Sequence, residues 1–214
     1  MNARRLLLIQ VIILVVILAA GFVGYYFYHQ STLYLKTDDA QVTGRQIVIT
    51  APASGELTSW NGTEGAQFSA GDVMGTISVP GAKGATVSVT APETATIVQN
   101  QAVNHQFVVA GTPLAYAYNL NDLWVTANVK ETDINDVHVG QNVDVYVDAF
   151  PGTSFQGVVQ QIGLATAATF SLLPQTNNNA NFTKVTQVIP VRIRLQTYTG
   201  QLVPGMSATV RIHK

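Results

Sequence analysis

The 214-residue sequence contains no cysteine, which excludes disulfides, thiolate nucleophiles and cysteine-ligated zinc together. Charge is scarce as well. Asp, Glu, Lys and Arg make up 11% of the chain, against roughly 25% in an average soluble protein. So little charge excludes a helical coiled coil, a long disordered tail and a nucleic-acid binder, each of which depends on it. With Arg4 and Arg5 set aside from the 11 Lys and Arg, the chain beyond residue 30 carries nine positive charges against 12 acidic ones, a net of −3. No basic field is left to hold a polyanion. His29, His105, His138 and His213 are scattered. None has a second ligand at zinc-site spacing, so they read as surface residues. Asp133, Asp136, Asp144 and Asp148 lack the spacing of an EF-hand. If Val143, Val145 and Val147 point inward, Asp144 and Asp148 point to water. A nucleophile elbow, a phosphate loop and a dinucleotide fingerprint are all absent from the sequence. The reading is a non-enzymatic chain with no catalytic residue, no metal site and no cofactor.

What is abundant is apolar. Hydrophobic residues form 47% of the chain, and the first of them are concentrated. From Leu6 to Tyr28 there are 23 residues without a charge. A helix of that length spans about 35 Å, enough for a hydrocarbon core of about 30 Å. Tyr25, Tyr26, Phe27 and Tyr28 suit an interfacial aromatic belt, Arg4 and Arg5 precede the run, and Asp38 and Asp39 follow it. That asymmetry puts the N-terminus in the cytoplasm and the rest outside. A cleaved signal peptide has a shorter apolar region of about 7–15 residues, and a lipoprotein site needs cysteine. Residues 1–36 therefore read as a cytoplasmic stub and a single-pass anchor in the cytoplasmic membrane, spanning with residues 6–28.

Beyond residue 36 the period changes to two. Gln46–Thr50, Thr86–Thr90, Val143–Val147, Val191–Leu195 and Thr209–His213 alternate apolar with polar residues, are rich in Val, Ile and Thr, and are separated by Gly, Pro or Asn. These are half-buried antiparallel strands, short enough for small barrels or sandwiches. A repeat organises the first of them. Thr50-Ala-Pro-Ala-Ser-Gly-Glu-Leu57 is echoed by Thr90-Ala-Pro-Glu-Thr-Ala-Thr-Ile97, and Gln67-Phe68 with Gly71 by Gln106-Phe107 with Gly111. The offset is 39 to 40 residues. Neither half can bury an apolar face alone, so two halves close into one sandwich, with Gly55, Gly71 and Gly111 supplying turns.

These residues resemble the membrane fusion (periplasmic adaptor) family, in its HlyD/EmrA-like branch. The repeat looks like the two halves of a biotinyl/lipoyl-type domain. The entry Thr37-Asp-Asp-Ala-Gln-Val42 is similar to the opening segment of that branch. Leu123-Trp-Val-Thr-Ala-Asn-Val129, Glu131–Ile134, Val139–Gln141 and Phe155–Val158 follow its barrel domain in order, as do Phe170–Pro174, Asn181–Val185, Pro190–Ile193 and Pro204–Val210. The implied fold is mainly β: residues 1–36 as anchor, residues 37–118 as a biotinyl/lipoyl-like sandwich, and residues 119–214 as a small antiparallel barrel. Thr132 or Asp133 caps a short helix there whose Ile134 and Val137 plug the barrel, with Gly140 ending it. Longer relatives carry a helical hairpin between the lipoyl halves that meets an outer-membrane channel. Here the join is Ser78-Val-Pro-Gly-Ala-Lys-Gly-Ala-Thr86, too short for paired helices, which leaves that contact without a basis.

The resemblance implies an accessory subunit of an efflux or secretion system. Its partner would be a multispanning membrane exporter of the major facilitator type, with several copies of the adaptor assembling together as in the family's rings. The long loop from Gly163 to Lys184 carries Phe170, Leu172, Leu173 and Phe182, which either dock on a partner or pin the loop to the barrel. Lys83 lies where lipoyl and biotinyl carriers attach their cofactor, but its flanks, Gly81-Ala82 and Gly84-Ala85, are unlike an attachment motif. Two readings of other classes stand beside the adaptor: a carrier modified on Lys83, and an anchored envelope-binding module without a transporter.

Overall fold

The computed structural model describes residues 12–22, 24–25, 33–81, 84–170, 186–196, 198 and 202–214. Residues 12–22 are helical and exposed, with Ile12, Leu14, Ile17 and Phe22 open along their length. Among the described residues no helix is long and apolar enough to cross a membrane. Most of the flanking residues of the expected 6–28 span lie outside them.

Twelve strands follow among the described residues. They are β1 (Tyr34–Thr50), β2 (Gly55–Trp60), β3 (Gln67–Phe68), β4 (Val73–Ser78), β5 (Thr86–Thr90), β6 (Ala95–Asn100), β7 (Phe107–Val108), β8 (Pro113–Lys130), β9 (Asn142–Val147), β10 (Ser154–Ile162), β11 (Val188–Leu195) and β12 (Ser207–His213). They fall into two compact units, Met1–Ala40 with Ala127–Ile193 and Thr209–Lys214, and Gln41–Thr126 with Arg194–Ala208. The long strands β1 and β8 each give one end to each unit.

The first unit is a closed barrel. Its strands run in the order β1-β12-β9-β10-β11-β8, and β8 pairs back with β1. The period-two pattern explains why it closes. Val143, Val145 and Val147 on β9, Val191 and Ile193 on β11, and Val210 and Ile212 on β12 are buried, while their neighbours are not. Closure leaves no unpaired sheet edge and gives each alternate side chain a shared interior. The β9–β10 ladder fixes the register with Phe155 opposite Val145 and Gly157 opposite Val143. Val137 is buried as the pattern requires, but the expected capped helix shrinks to one 3-10 turn, Ile134–Asp136. Asp133 sits at its N-cap without a side-chain cap bond, and the Thr132 hydroxyl donates to the Asp133 carboxylate instead. The turn ends at Val137, before Gly140.

The second unit is the repeat folded on itself. A four-stranded layer, β5-β4-β2-β7, faces a layer containing β8-β6-β3. Each half donates its short strand to the other: β7 pairs with β2, and β3 with β6. The hydrogen bonds repeat at an offset of 40. Leu57 N–H donates to Gln106 and Ile97 N–H to Ala66; Gly71 N–H donates to Ala91 and Gly111 N–H to Ala51. Gly71 and Gly111 both hold positive φ, 88° and 86°. Core residues pair up at the same interval, Ile49 with Val89, Leu57 with Ile97 and Met74 with Leu114, all buried.

Two sequence expectations change here. The echo of Gln67-Phe68 in Gln106-Phe107 is one residue out of step. At an offset of 40, Phe68 corresponds to Val108, which is buried, and Phe107 turns outward at 61% exposure. A slip of one residue reverses every face of a strand. Gly55 makes no turn of positive φ. It opens β2, where a Cβ would stand 2.0 Å from the Ser78 carbonyl oxygen, so its requirement is close backbone approach.

Candidate functional site

The join between the halves is a plain hairpin. Strands β4 and β5 are antiparallel with Ser78 opposite Thr86 and Ile77 opposite Val87. Beyond that pair, Val79 N–H donates to the Ala85 carbonyl at 3.1 Å. The ladder thus runs to the base of the turn. Lys83 lies outside the described residues. Leu172, Leu173 and Phe182 also lie outside them, as does the Phe170 side chain; the described start of that loop forms a 3-10 turn, Ala167–Phe170.

Where the halves meet, the symmetry is filled by unlike residues. Trp60 and Asn100 occupy corresponding positions, and the indole N–H donates to the Asn100 side-chain oxygen at 2.9 Å. Asn100 is otherwise engaged: its amide donates to the Ala102 carbonyl, and its oxygen accepts from Ala102 N–H, both at 3.1 Å. Its own N–H donates to Glu64 Oε1 at 3.3 Å. A buried indole N–H and a part-buried amide satisfy each other.

Beside this pair the second unit holds an open hollow of about 670 Å³. Its walls come from β1 at Gln41–Gly44, the turn at Glu64–Gly65, β6 at Thr96–Val98, Tyr118 and Leu120 of β8, and the Val203–Gly205 turn. The local sequence explains the space. At Gly44 a Cβ would come within 2.7 Å of Leu123 Cδ2 and 3.1 Å of Tyr118 Cδ1, so glycine lets the Tyr118 ring lie against the strand. The β6–β8 ladder slips between Ile97 and Gln99. This bulge leaves Ile97 buried and turns its neighbour Val98 out at 39% exposure, as bulges do when they re-aim a side chain. No spacing in the sequence announces such a site, because five separated segments build it. The apolar Val98 beside the repeat's Ile97 is the one local signal.

In the barrel unit, two residues read as solvent-facing meet. His213 Nε2 lies 2.9 Å from Asp144 Oδ2, and Gln156 donates to Asp144 Oδ1 at 2.9 Å. The Tyr34 ring packs edge-on against His213 with centroids 4.9 Å apart. Asp144 keeps to the outer face that the alternation implies, but its side chain is only 21% exposed because β12 brings His213 against it. Partial burial works to raise its carboxyl, but the hydrogen bonds from His213 and Gln156 and the charges of His213 and Arg211 outweigh it and hold the group below 3.8. Burial pushes the Tyr198 phenol up, as does Asp122, against the lowering effect of its bond from Leu123 N–H at 2.8 Å. Among the described residues no cluster of three or more His, Cys, Asp or Glu could hold a metal.

The sandwich-plus-barrel arrangement defines an adaptor-type scaffold, and comparison with known proteins agrees. Residues 46–119 match the YhbJ barrel-sandwich hybrid domain, and residues 122–214 match the CusB-like β-barrel domain. The chain is 46% identical over 213 residues to the candidate efflux system component YhbJ of Bacillus subtilis (strain 168), covering 99% of this chain and 94% of that protein. It is 43% identical over 94 residues to the colistin resistance protein EmrA of Acinetobacter baumannii, covering 43% of this chain but 27% of that longer protein. Its fold matches the membrane fusion protein Spr0693 of Streptococcus pneumoniae R6 with a TM-score of 0.58 at 14% identity, over 84% of this chain and 98% of that one. The chain belongs to the membrane fusion, or periplasmic adaptor, family.

Proposed function

We propose that the chain is the membrane-anchored adaptor of an efflux system and works beside a multispanning exporter in the cytoplasmic membrane. The observation that carries this is the end-to-end match to an efflux system component on a scaffold of sandwich and closed barrel. Two further features support it. The helical residues 12–22 present Leu, Ile, Val and Phe to their surroundings on every side, which suits lipid rather than water. The antiparallel β4–β5 pairing has no helix between its strands among the described residues, which supports an adaptor that acts beside its exporter rather than by reaching an outer-membrane channel. A tether of this kind raises the local concentration of the external units to about millimolar, and weak contacts become occupied. In this reading residues 37–118 supply mainly the lipoyl-like part and residues 119–214 mainly the barrel part, with β1 and β8 shared between the two units. Neither requires covalent chemistry, and the energy comes from the partner.

In this reading the loop bearing Phe170, Leu172, Leu173 and Phe182 docks on the exporter. A photo-crosslinking amino acid placed at Leu172 or Phe182 is expected to capture a multispanning membrane protein in growing cells. Crosslinks confined to the chain's own barrel would make the loop a packing element and remove it from the docking surface.

A further inference from the structure

We infer that the hollow bounded by Gly44, Glu64, Val98, Tyr118, Leu120 and Pro204 is a binding site for an amphipathic organic cation. The inference goes beyond the adaptor reading and is measured on this chain alone. Four observations converge. The volume, about 670 Å³, is that of a site for a drug-sized molecule rather than a crevice between side chains. Its lining is predominantly apolar, with one charged residue, Glu64. One carboxylate oxygen of Glu64 accepts from the Asn100 backbone, and the side chain is exposed where it lines the hollow, so it can meet a positive group. The half-buried Tyr118 hydroxyl has no hydrogen-bond partner among the described residues, and its ring lies beside Gly44, where a Cβ would come 3.1 Å from Tyr118 Cδ1. An aromatic ring and an exposed carboxylate lining one apolar hollow select a cation with an apolar body over a neutral or anionic one.

The repeat supplies an internal control. The residue corresponding to Val98 is Thr58, placed at the same ladder slip between Leu57 and Ser59. There the bulged side chain is polar, and its hydroxyl bonds the Thr76 carbonyl at 3.1 Å. The fold therefore accepts a polar residue at this bulge, and the valine serves the hollow.

The test uses the full chain in nanodiscs, with empty nanodiscs as the blank, in equilibrium dialysis against two water-soluble probes of matched shape. These are trimethyl(naphthylmethyl)ammonium and naphthylmethanesulfonate. The expected result is saturable uptake of one ammonium probe per chain with a Kd of about a millimolar or tighter, and weaker uptake of the sulfonate. Glu64→Gln should weaken the cation by about three- to fivefold, the range of an exposed ion pair, and narrow the gap to the sulfonate. Val98→Arg should abolish cation uptake with the melting curve unchanged. Absence of saturable uptake, equal uptake of the two probes, or a well-folded Val98→Arg chain that binds like the parent would each overturn the assignment. Should Val98→Arg fail to fold, the Glu64→Gln result decides.

Discussion

The two halves of the sandwich follow one backbone plan with different side chains, and the differences occur as matched sets. In the first half Trp60 is flanked by Gly62 and Gly75, whose Cβ atoms would stand 2.2 Å and 2.9 Å from the indole ring. In the second half the corresponding residues are Asn100, Ala102 and Ala115, with both alanines buried. A large side chain with two absent ones has become a small polar side chain with two methyl groups. The two added methyl groups offset part of the volume that the smaller side chain gives up, the kind of paired change a close-packed core tolerates. The edges diverge without such compensation. Thr58 and Gln67 on one half become Val98 and Phe107 on the other, both outward, so the second half presents the more apolar surface.

Exchanging residues between the halves tests this comparison. The largest effect is expected at Gly55, whose counterpart is Ala95. Gly55→Ala drives a methyl group into the Ser78 carbonyl, at 2.0 Å in the present geometry. A loss of about 3 kcal/mol or more in denaturant unfolding should follow. An unfolding midpoint like the parent's would show that β2 shifts freely. Next is Gly62→Ala, which should cost about 1–3 kcal/mol. The three atoms nearest to its Cβ position all belong to Trp60, so in a Trp60→Asn background the penalty should largely disappear. A double-mutant cycle that gives additive losses would contradict the compensation argument.

Smaller effects are expected at one backbone position and one charge. Gly65 holds φ of 84°, and its counterpart His105 holds 67°, the one non-glycine residue with positive φ among those described. His105→Gly should raise stability by up to about 1 kcal/mol, because the exposed contact with Glu56 offsets little. Unchanged or lower stability would mean that the Glu56 contact outweighs the strain. In the barrel, the lowered Asp144 carboxyl contributes stability that is present above its unfolded pKa. That contribution is lost as pH falls through the folded value, below about 3.8. Asp144→Asn should remove this acid-limb dependence while costing stability near neutrality. An unaltered acid limb in the variant would assign the dependence to another group.

Much of the fold could be read from periodicity. The alternation in Val143–Val147, Val191–Leu195 and Thr209–His213 fell on observed strands with the apolar residues inside, because a half-buried strand leaves a period of two in any sequence. The repeat was legible as well, but not its register. Phe107 echoes Phe68 in letters while Val108 does so in space, and burial rather than identity decides the correspondence. The Asp144–His213 pair was hidden because its members are 69 residues apart and meet only when the barrel closes. The hollow was hidden for a different reason. A bulge at Val98 breaks the alternation that makes a strand readable, and Gly44 acts through the side chain it lacks.

The adaptor assignment is tested most directly by purifying the tagged full chain from gently solubilised native membranes and identifying what remains bound. The account predicts a multispanning exporter at near-stoichiometric yield. Recovery of the chain alone, or only with soluble or cell-wall components, would contradict it.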